Sequence, residues 1–360
     1  MPTETNTHSA DESVIDLSGV WKIFGENHEE ALAAIKKDGL SKAEVLEKFN
    51  CVVGVADASF SVKRGEIFCI MGLSGSGKST LVRHVNRLLA PTAGSVTVEG
   101  VDIMSLNEEE LLDVRNRKIA MVFQNFGLLP HRSVRDNVAM PLEIRGLSQN
   151  ARWKAAEEAL ALVELSEWKD KFAHELSGGM QQRVGLARAI AADADVLLMD
   201  EPFSALDPLI RRQLQDEFMS LASKMNKTTL FITHDLEEAV RIGDRIAIMK
   251  DGIIVQTGTP EEIIMNPVDE YVMDFVAGIS RINLIRAHSL AKPRKDYEAK
   301  HGKLPKDVLT VSGNETLRQI ITKATGTEGP ILVEDKDIGT MGVITKNDIL
   351  NGVILGTEES

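Results

Sequence analysis

Two cysteines in 360 residues leave little scope for disulfide or metal chemistry. Cys51 and Cys69 have no CxxC spacing and no histidine cluster beside them, so they read as small apolar side chains in a reducing compartment. A basic surplus is also missing. Lys and Arg number 41 against 54 Asp and Glu, for a formal charge of −13. A protein that binds nucleic acid usually carries the opposite balance. Long apolar runs are lacking too. EIFCIMGL and DVLLMDEP are strand-sized, far below the roughly 18–20 residues of a membrane span. The opening MPTETNTHSADES has neither a cationic start nor an apolar stretch, so it does not read as a secretion signal. Any membrane role must come through a partner.

What remains is a globular composition, 43% hydrophobic and 26% charged, in a chain long enough for one large domain and a smaller one. Residues 1–13 read as a disordered tail. VIDLSGVWKIFG at 14–25 reads as a first strand. A helical insertion at 26–50 follows, with Gly39 as a C-cap and Ser41 and Glu44 in capping-box spacing. Strand patterns then alternate with helical ones, which predicts an α/β fold with a largely parallel sheet. A helical subdomain spans about 130–190, where Trp153, Ala156, Leu160 and Val163 share one apolar face. Residues 281–306 are polar and carry prolines, as a linker would. Residues 307–360 read β-α-β-β-α, a small α+β module.

GLSGSGKS at 72–79 fits G-x-x-x-x-G-K-[ST] through Gly72, Gly77, Lys78 and Ser79. It follows the strand IFCIM and opens the helix STLVRHVNRLL, the context this phosphate-binding loop requires. The glycines let successive N–H groups face the phosphates, and the helix terminus adds its dipole. Lys78 is expected at the β- and γ-phosphates and the Ser79 hydroxyl at Mg²⁺. Ser74, Gly75, Ser76 and Thr80 complete the expected cradle. DVLLMDEP at 195–202 delivers Asp200 at a strand end, where it can hold the Mg²⁺ shell, and Glu201 beside it as general base. Gln124 and His234 also follow apolar strands. Each alone is an ordinary structural hydrogen-bonder, but parallel strands would bring both to the edge that carries Asp200.

A second anion-binding element lies about a hundred residues beyond the first. In LSGGMQQ, Ser177 reads as an N-cap, and Gly178 and Gly179 permit close backbone approach. One nucleotide does not need two cradles. The ordered set of phosphate loop, Gln124, LSGGMQQ, LLMDEP, SALD and His234 resembles the ATP-binding subunit of ABC transporters over about residues 14–280. That resemblance implies a homodimer in which LSGGMQQ, through Ser177, Gly178, Gly179 and Gln181, covers ATP held by the other copy, head to tail. It implies Mg²⁺ and membrane-coupling roles for Gln124, γ-phosphate sensing for His234, and contact across the dimer for Ser204 to Asp207. It also implies an aromatic stacked on adenine, Phe24 first and Trp21 second.

The insertion at 26–50, VRNRKIAMVFQNFGLLPH, FSALDPLIRRQLQDE and EEAVRIGDRIAIMKDG are similar to the importers of glycine betaine, proline and related quaternary amines. This implies permease subunits, an indirect periplasmic or extracellular binding protein, and a place at the cytoplasmic face of the cell membrane. NFGLLPHRSV would dock on the permease, although Phe126, Leu128 and Leu129 read equally well as core. The last 50 or so residues resemble one cystathionine-β-synthase (CBS) type module, where this group commonly has two. Translation factors with two ATPase domains, repair proteins with a long coiled coil, exporters, and P-loop kinases or GTPases fit the sequence less well.

Overall fold

The computed structural model describes residues 13–124, 127–204, 206–278, 282, 284–305, 308–325, 329–334 and 341–354. The chain divides into two compact units, Met1–Thr259 and Pro260–Ser360. Most of the expected tail lies outside the described residues, but Ser13 already pairs with Lys63.

In the first unit the strands are β1 (Ser13–Phe24), β2 (Val52–Lys63), β3 (Ile67–Met71), β4 (Ala93–Val98), β5 (Val101–Asp102), β6 (Ile119–Val122), β7 (Val196–Asp200), β8 (Thr228–Thr233), β9 (Arg245–Lys250) and β10 (Ile253–Gly258). A six-stranded sheet runs in the order β10-β9-β3-β8-β7-β6. All its pairings are parallel except β9 with β10. β3, β7 and β8 are buried along their whole length. This explains why they read as continuous apolar runs: both faces of such a sheet are covered. A four-stranded antiparallel sheet, β2-β1-β4-β5, packs against it. Their shared core includes Leu17, Phe60, Phe68, Leu81 and Val196. Phe60 and Phe68 stack with centroids 4.9 Å apart.

The expected insertion consists of the helices His28–Asp38 and Lys42–Phe49. Ser41 and Glu44 form the capping box, and Gly39 closes the first helix with φ of 68°. Ala31, Val45 and Cys51 build a separate small core there. Both cysteines are free and buried.

The helical subdomain packs the helices Val134–Ile144 and Gln149–Leu162 against Gly178–Ala192. Ala156, Leu160 and Val163 are buried, as their spacing predicts. Arg135 locks this layer together. Its guanidinium bonds Glu157 at 2.8 Å and Asp170 at 2.9 Å, and lies 3.9 Å from the Trp153 ring centroid.

In the second unit the strands β11 (Lys292–Pro293), β12 (Leu309–Ser312), β13 (Ile331–Glu334) and β14 (Met341–Ile344) form a sheet in the order β11-β14-β13-β12. Only β12 with β13 is parallel. The stretch read as a linker departs from expectation. It supplies the helices Ala287–Leu290 and Arg294–His301 as well as β11, and Ala287 enters the core beside Val311 and Ile320.

Because Arg135 joins two partly exposed carboxylates and an aromatic face, Arg135→Glu should cost about 1 kcal/mol of stability, seen as earlier unfolding in urea. Unfolding at an unchanged urea midpoint would show that the network contributes nothing to the subdomain.

Candidate functional site

The sheet registers explain how distant residues meet. Met71 pairs with Thr233, Asp200 with Ile232, and Val122 with Met199. The ends of β3, β8, β7 and β6 therefore fall on one edge. The phosphate loop, His234, Asp200 with Glu201, and Gln124 emerge there.

The loop is held from behind. The carbonyl of Ser76 accepts from Gly252 N–H at 2.8 Å, and the Ser76 side chain is buried. Gly77 has φ of 101° and begins the helix Lys78–Val85. A Cβ at Gly77 would lie 2.4 Å from the carbonyl oxygen of Gly54. Ser74 and Gly75 sit exposed at the tip, while Ser79 and Thr80 are half-buried in the first helical turn. Lys78 Nζ donates to the carbonyls of Gly72 at 2.9 Å and Leu73 at 3.0 Å. Burial lowers its pKa, and Glu201 and Asp200 oppose that shift.

Asp200 is 1% exposed. Its Oδ1 accepts from the Ser79 hydroxyl at 2.8 Å, and Arg83 lies 3.7 Å from Oδ2. Oδ2 is buried with no hydrogen-bond partner. Burial raises the Asp200 pKa, with Ser79 and Arg83 pulling the other way. A buried carboxylate oxygen without a donor, next to a hydroxyl, fits a hard cation that prefers oxygen ligands. Glu201 Oε2 is 3.0 Å from His234 Nδ1 and 3.3 Å from Gln124 Nε2. Thus the phosphate loop, Asp200, Glu201, Gln124 and His234 come together, as the strand pattern predicts.

Elsewhere the candidates have local partners. Ser177 caps the helix Gly178–Ala192 and accepts from Met180 N–H at 3.4 Å. Gly178 and Gly179 form its first turn, and Gln181 donates to the Leu176 carbonyl. Asp207 caps the helix Pro208–Lys224, accepting from Leu209 and Ile210 N–H. Phe24 ends β1 with its ring exposed, and Lys22 Nζ lies 5.3 Å from the ring centroid. Trp21 packs against the insertion core instead. Phe126 lies outside the described residues, and Leu128 and Leu129 are half-buried.

Two site residues escaped sequence reading. Arg83 stands one helical turn after Ser79, a spacing that places both on one face. Gln182, inside the LSGGMQQ run, donates to the Glu201 carbonyl at 3.2 Å.

A P-loop at a parallel strand edge, an orphaned aspartate oxygen and a glutamate beside it define a nucleotide-hydrolysing site. The ABC transporter family matches residues 55–204. The glycine betaine/carnitine transport ATP-binding protein GbuA of Listeria monocytogenes is 52% identical over 278 residues, covering 77% of this chain and 70% of the relative. The trimethylamine N-oxide transport system ATP-binding protein TmoW of Pelagibacter ubique is 42% identical over 341 residues, covering 94% and 97%. The dimeric post-hydrolysis state of the ATP-binding cassette MJ0796, bound to ADP and Pi, superposes with a TM-score of 0.60 at 31% identity, covering 68% of this chain and 98% of that one. The chain belongs to the ABC transporter family, as an ATP-binding subunit. It is an ATPase coupled to transport.

A methyl at Gly77 would collide with backbone, whereas one at Gly75 meets nothing within 4 Å. Both positions pay the left-handed backbone cost of about 1–2 kcal/mol, but Gly77→Ala adds the collision and should therefore weaken ATP binding at least about tenfold more than Gly75→Ala. Titration with a fluorescent ATP analogue checks this. Equal effects at the two positions would contradict the close packing behind the loop.

Proposed function

We propose that this chain is the energy-coupling ATPase of a binding-protein-dependent importer for quaternary amines or trimethylamine N-oxide. The observation that carries the catalytic part is the junction of Ser79–Asp200 with the Glu201–Gln124–His234 cluster at one strand edge. The substrate class rests on the names of the relatives.

Two copies pair head to tail, and each phosphate loop holds ATP through Gly72, Ser74, Gly75, Ser76, Gly77, Lys78, Ser79 and Thr80. Ser177, Gly178, Gly179 and Gln181 of one copy close over the ATP of the other. Asp207 is a helix cap first, and its segment lies at the dimer contact. Ser79, Asp200 and Gln124 are the residues that would hold Mg²⁺, which when bound neutralises phosphate charge. Glu201 takes the proton of the attacking water, and His234 orients Glu201 toward the γ-phosphate. Phe24 stacks on adenine, a role its exposure supports and the packing of Trp21 disfavours for that residue.

The chain works at the cytoplasmic face of the membrane through a permease, and NFGLLPHRSV is the docking segment. Within it Arg132 pairs with Glu143 at 2.6 Å and keeps part of its surface open, whereas Arg135, one residue beyond it, is engaged by Glu157, Asp170 and Trp153 of the subdomain. Residues 14–280 are read as the ATPase domain and 307–360 as one CBS-like module that supports dimerisation. The parallel pairing of β12 with β13 across the helix Leu317–Ala324 supports a compact module there.

Glu201→Gln keeps a hydrogen-bonding side chain but removes the base. It should slow hydrolysis by about 10²-fold or more while preserving ATP binding, and trap an ATP-bound dimer visible by gel filtration. Hydrolysis at the wild-type rate would remove Glu201 from that role. The substrate test is ATPase rate in a complex with permease and binding protein. Glycine betaine, proline betaine, choline, carnitine or trimethylamine N-oxide should stimulate turnover. Stimulation by none of them would discard this substrate class and leave the ATPase standing.

A further inference from the structure

Glu238 is a buried carboxylate that the reaction scheme above does not use. It lies in the helix Leu236–Ile242, directly after His234, and is 7% exposed. Its Oε1 accepts from Gln215 Nε2 at 2.8 Å, and Gln215 is itself buried. The Thr233 hydroxyl lies against the same carboxylate and also accepts from Asp235 N–H at 3.0 Å. Asp235 Oδ1 in turn accepts from Glu238 N–H at 3.2 Å. Of the residues on either side of His234, Thr233 is thus tied to the carboxylate directly, and Asp235 through the Thr233 hydroxyl and the Glu238 backbone N–H. A cavity of about 20 Å³ lies between Glu201, Ser204, His234, Asp235, Arg211 and Glu238. It has room for about one water molecule.

Gln215 belongs to the helix Pro208–Lys224, which starts at Asp207 of SALD. Further pairs flank the Gln215–Glu238 bond along the same two helices. Arg211 reaches the Leu206 carbonyl at 3.1 Å and lies 3.6 Å from Asp235. Arg241 bonds Asp216 at 2.6 Å. Arg211 and Gln215 stand one helical turn apart, so both face the His234 side. The outer pairs are partly exposed and contribute little. Only the central pair is buried. Burial raises the Glu238 pKa, and Thr233 and Gln215 hold it back, so both donors favour the ionised form.

We propose that Glu238 is a positioning residue for ATP hydrolysis: its buried carboxylate locks the His234 turn to the helix that follows SALD and so fixes His234 against Glu201. A hydrophobic isostere would often pack as well in a purely structural position. Here the carboxylate satisfies donors from both elements, which an apolar side chain could not do. The inference rests on the role proposed for His234.

The test is ATP turnover by the full chain with its permease, followed by phosphate release from radiolabelled ATP. Glu238→Ala should lower kcat about tenfold at unchanged KM, since it acts on the chemical step alone. Glu238→Gln, which still accepts from Thr233 and can pair with a turned Gln215 amide, should recover to within about twofold. In a His234→Ala background, Glu238→Ala should cost less than about twofold, because residues acting as one unit are not additive. Loss of the full factor in that background, a parallel rise in KM, or no recovery with Glu238→Gln would overturn the proposal.

If Glu238→Ala does not yield folded protein, Gln215→Met removes the donor and leaves the His234 turn untouched. It should lower kcat about threefold at constant KM, and only while His234 is present. An unchanged kcat would overturn the proposal. Wild-type turnover by His234→Ala alone would instead remove the role of His234, and this inference with it. Additive losses on top of an impaired His234→Ala would sink only the part assigned to Glu238.

Discussion

Glu201 leaves β7 with φ of 49°, in the left-handed region that side chains other than glycine enter at a cost of about 1–3 kcal/mol. Its surroundings over-determine that conformation. The N–H of Glu201 donates to the Ile232 carbonyl of β8. Its carbonyl accepts from Gln182, in the helix that LSGGMQQ opens, and from the Ser204 hydroxyl. Its carboxylate meets Gln124 after β6 and His234 after β8. One strained residue therefore gathers the sheet edge, the start of SALD and the helix Gly178–Ala192. The turn also separates two neighbouring carboxylates. Asp200 points into the interior beside Ser79, and Glu201 turns toward Gln124 and His234.

The parts of this arrangement that were legible in the sequence are those that local chemistry dictates. A P-loop needs strand, glycines and helix in immediate succession. A fully buried parallel strand must be apolar along its length, so β3, β7 and β8 could be read directly. Gln124, Asp200 and His234 then follow from counting to the strand ends. Phe24 and Trp21 could not be ordered in this way. β1 shifts register against β2 between Leu17 and Val20, between Val20 and Lys22, and between Lys22 and Ile23. Each shift breaks the simple alternation of faces, so position in the string does not give exposure.

Residues 281–306 were illegible for a different reason. The helix Arg294–His301 buries no residue, and Ala287–Leu290 is a single turn. Neither carries the apolar stripe that marks a helix in sequence. The segment is held by tertiary contacts: Lys292 of β11, between the two helices, pairs with Val343 across the sheet, and its ammonium bonds Asp348 at 2.5 Å. The Gln215–Glu238 pair was hidden by sequence separation. Nothing local distinguishes a buried glutamine in one helix from the solvated polar residues around it.

The phosphate loop is organised for its ligand before the ligand arrives. Lys78 is buried, and its ammonium is satisfied by two neutral carbonyls of its own loop. Those bonds hold the lysine over the cradle at little cost in side-chain entropy. Phosphate oxygens are stronger acceptors than carbonyls, because a hydrogen bond between charged groups is about twice as strong as a neutral one. Exchange of acceptors therefore favours ATP without requiring the side chain to be ordered anew. The support behind the loop serves the same end. Gly252 donates to the Ser76 carbonyl, the Ser76 N–H donates back to the Leu73 carbonyl, and the Gly54 carbonyl closes the space behind Gly77, so the loop is braced from the rear in its curled form. Preorganisation of this kind lowers the ordering cost of binding.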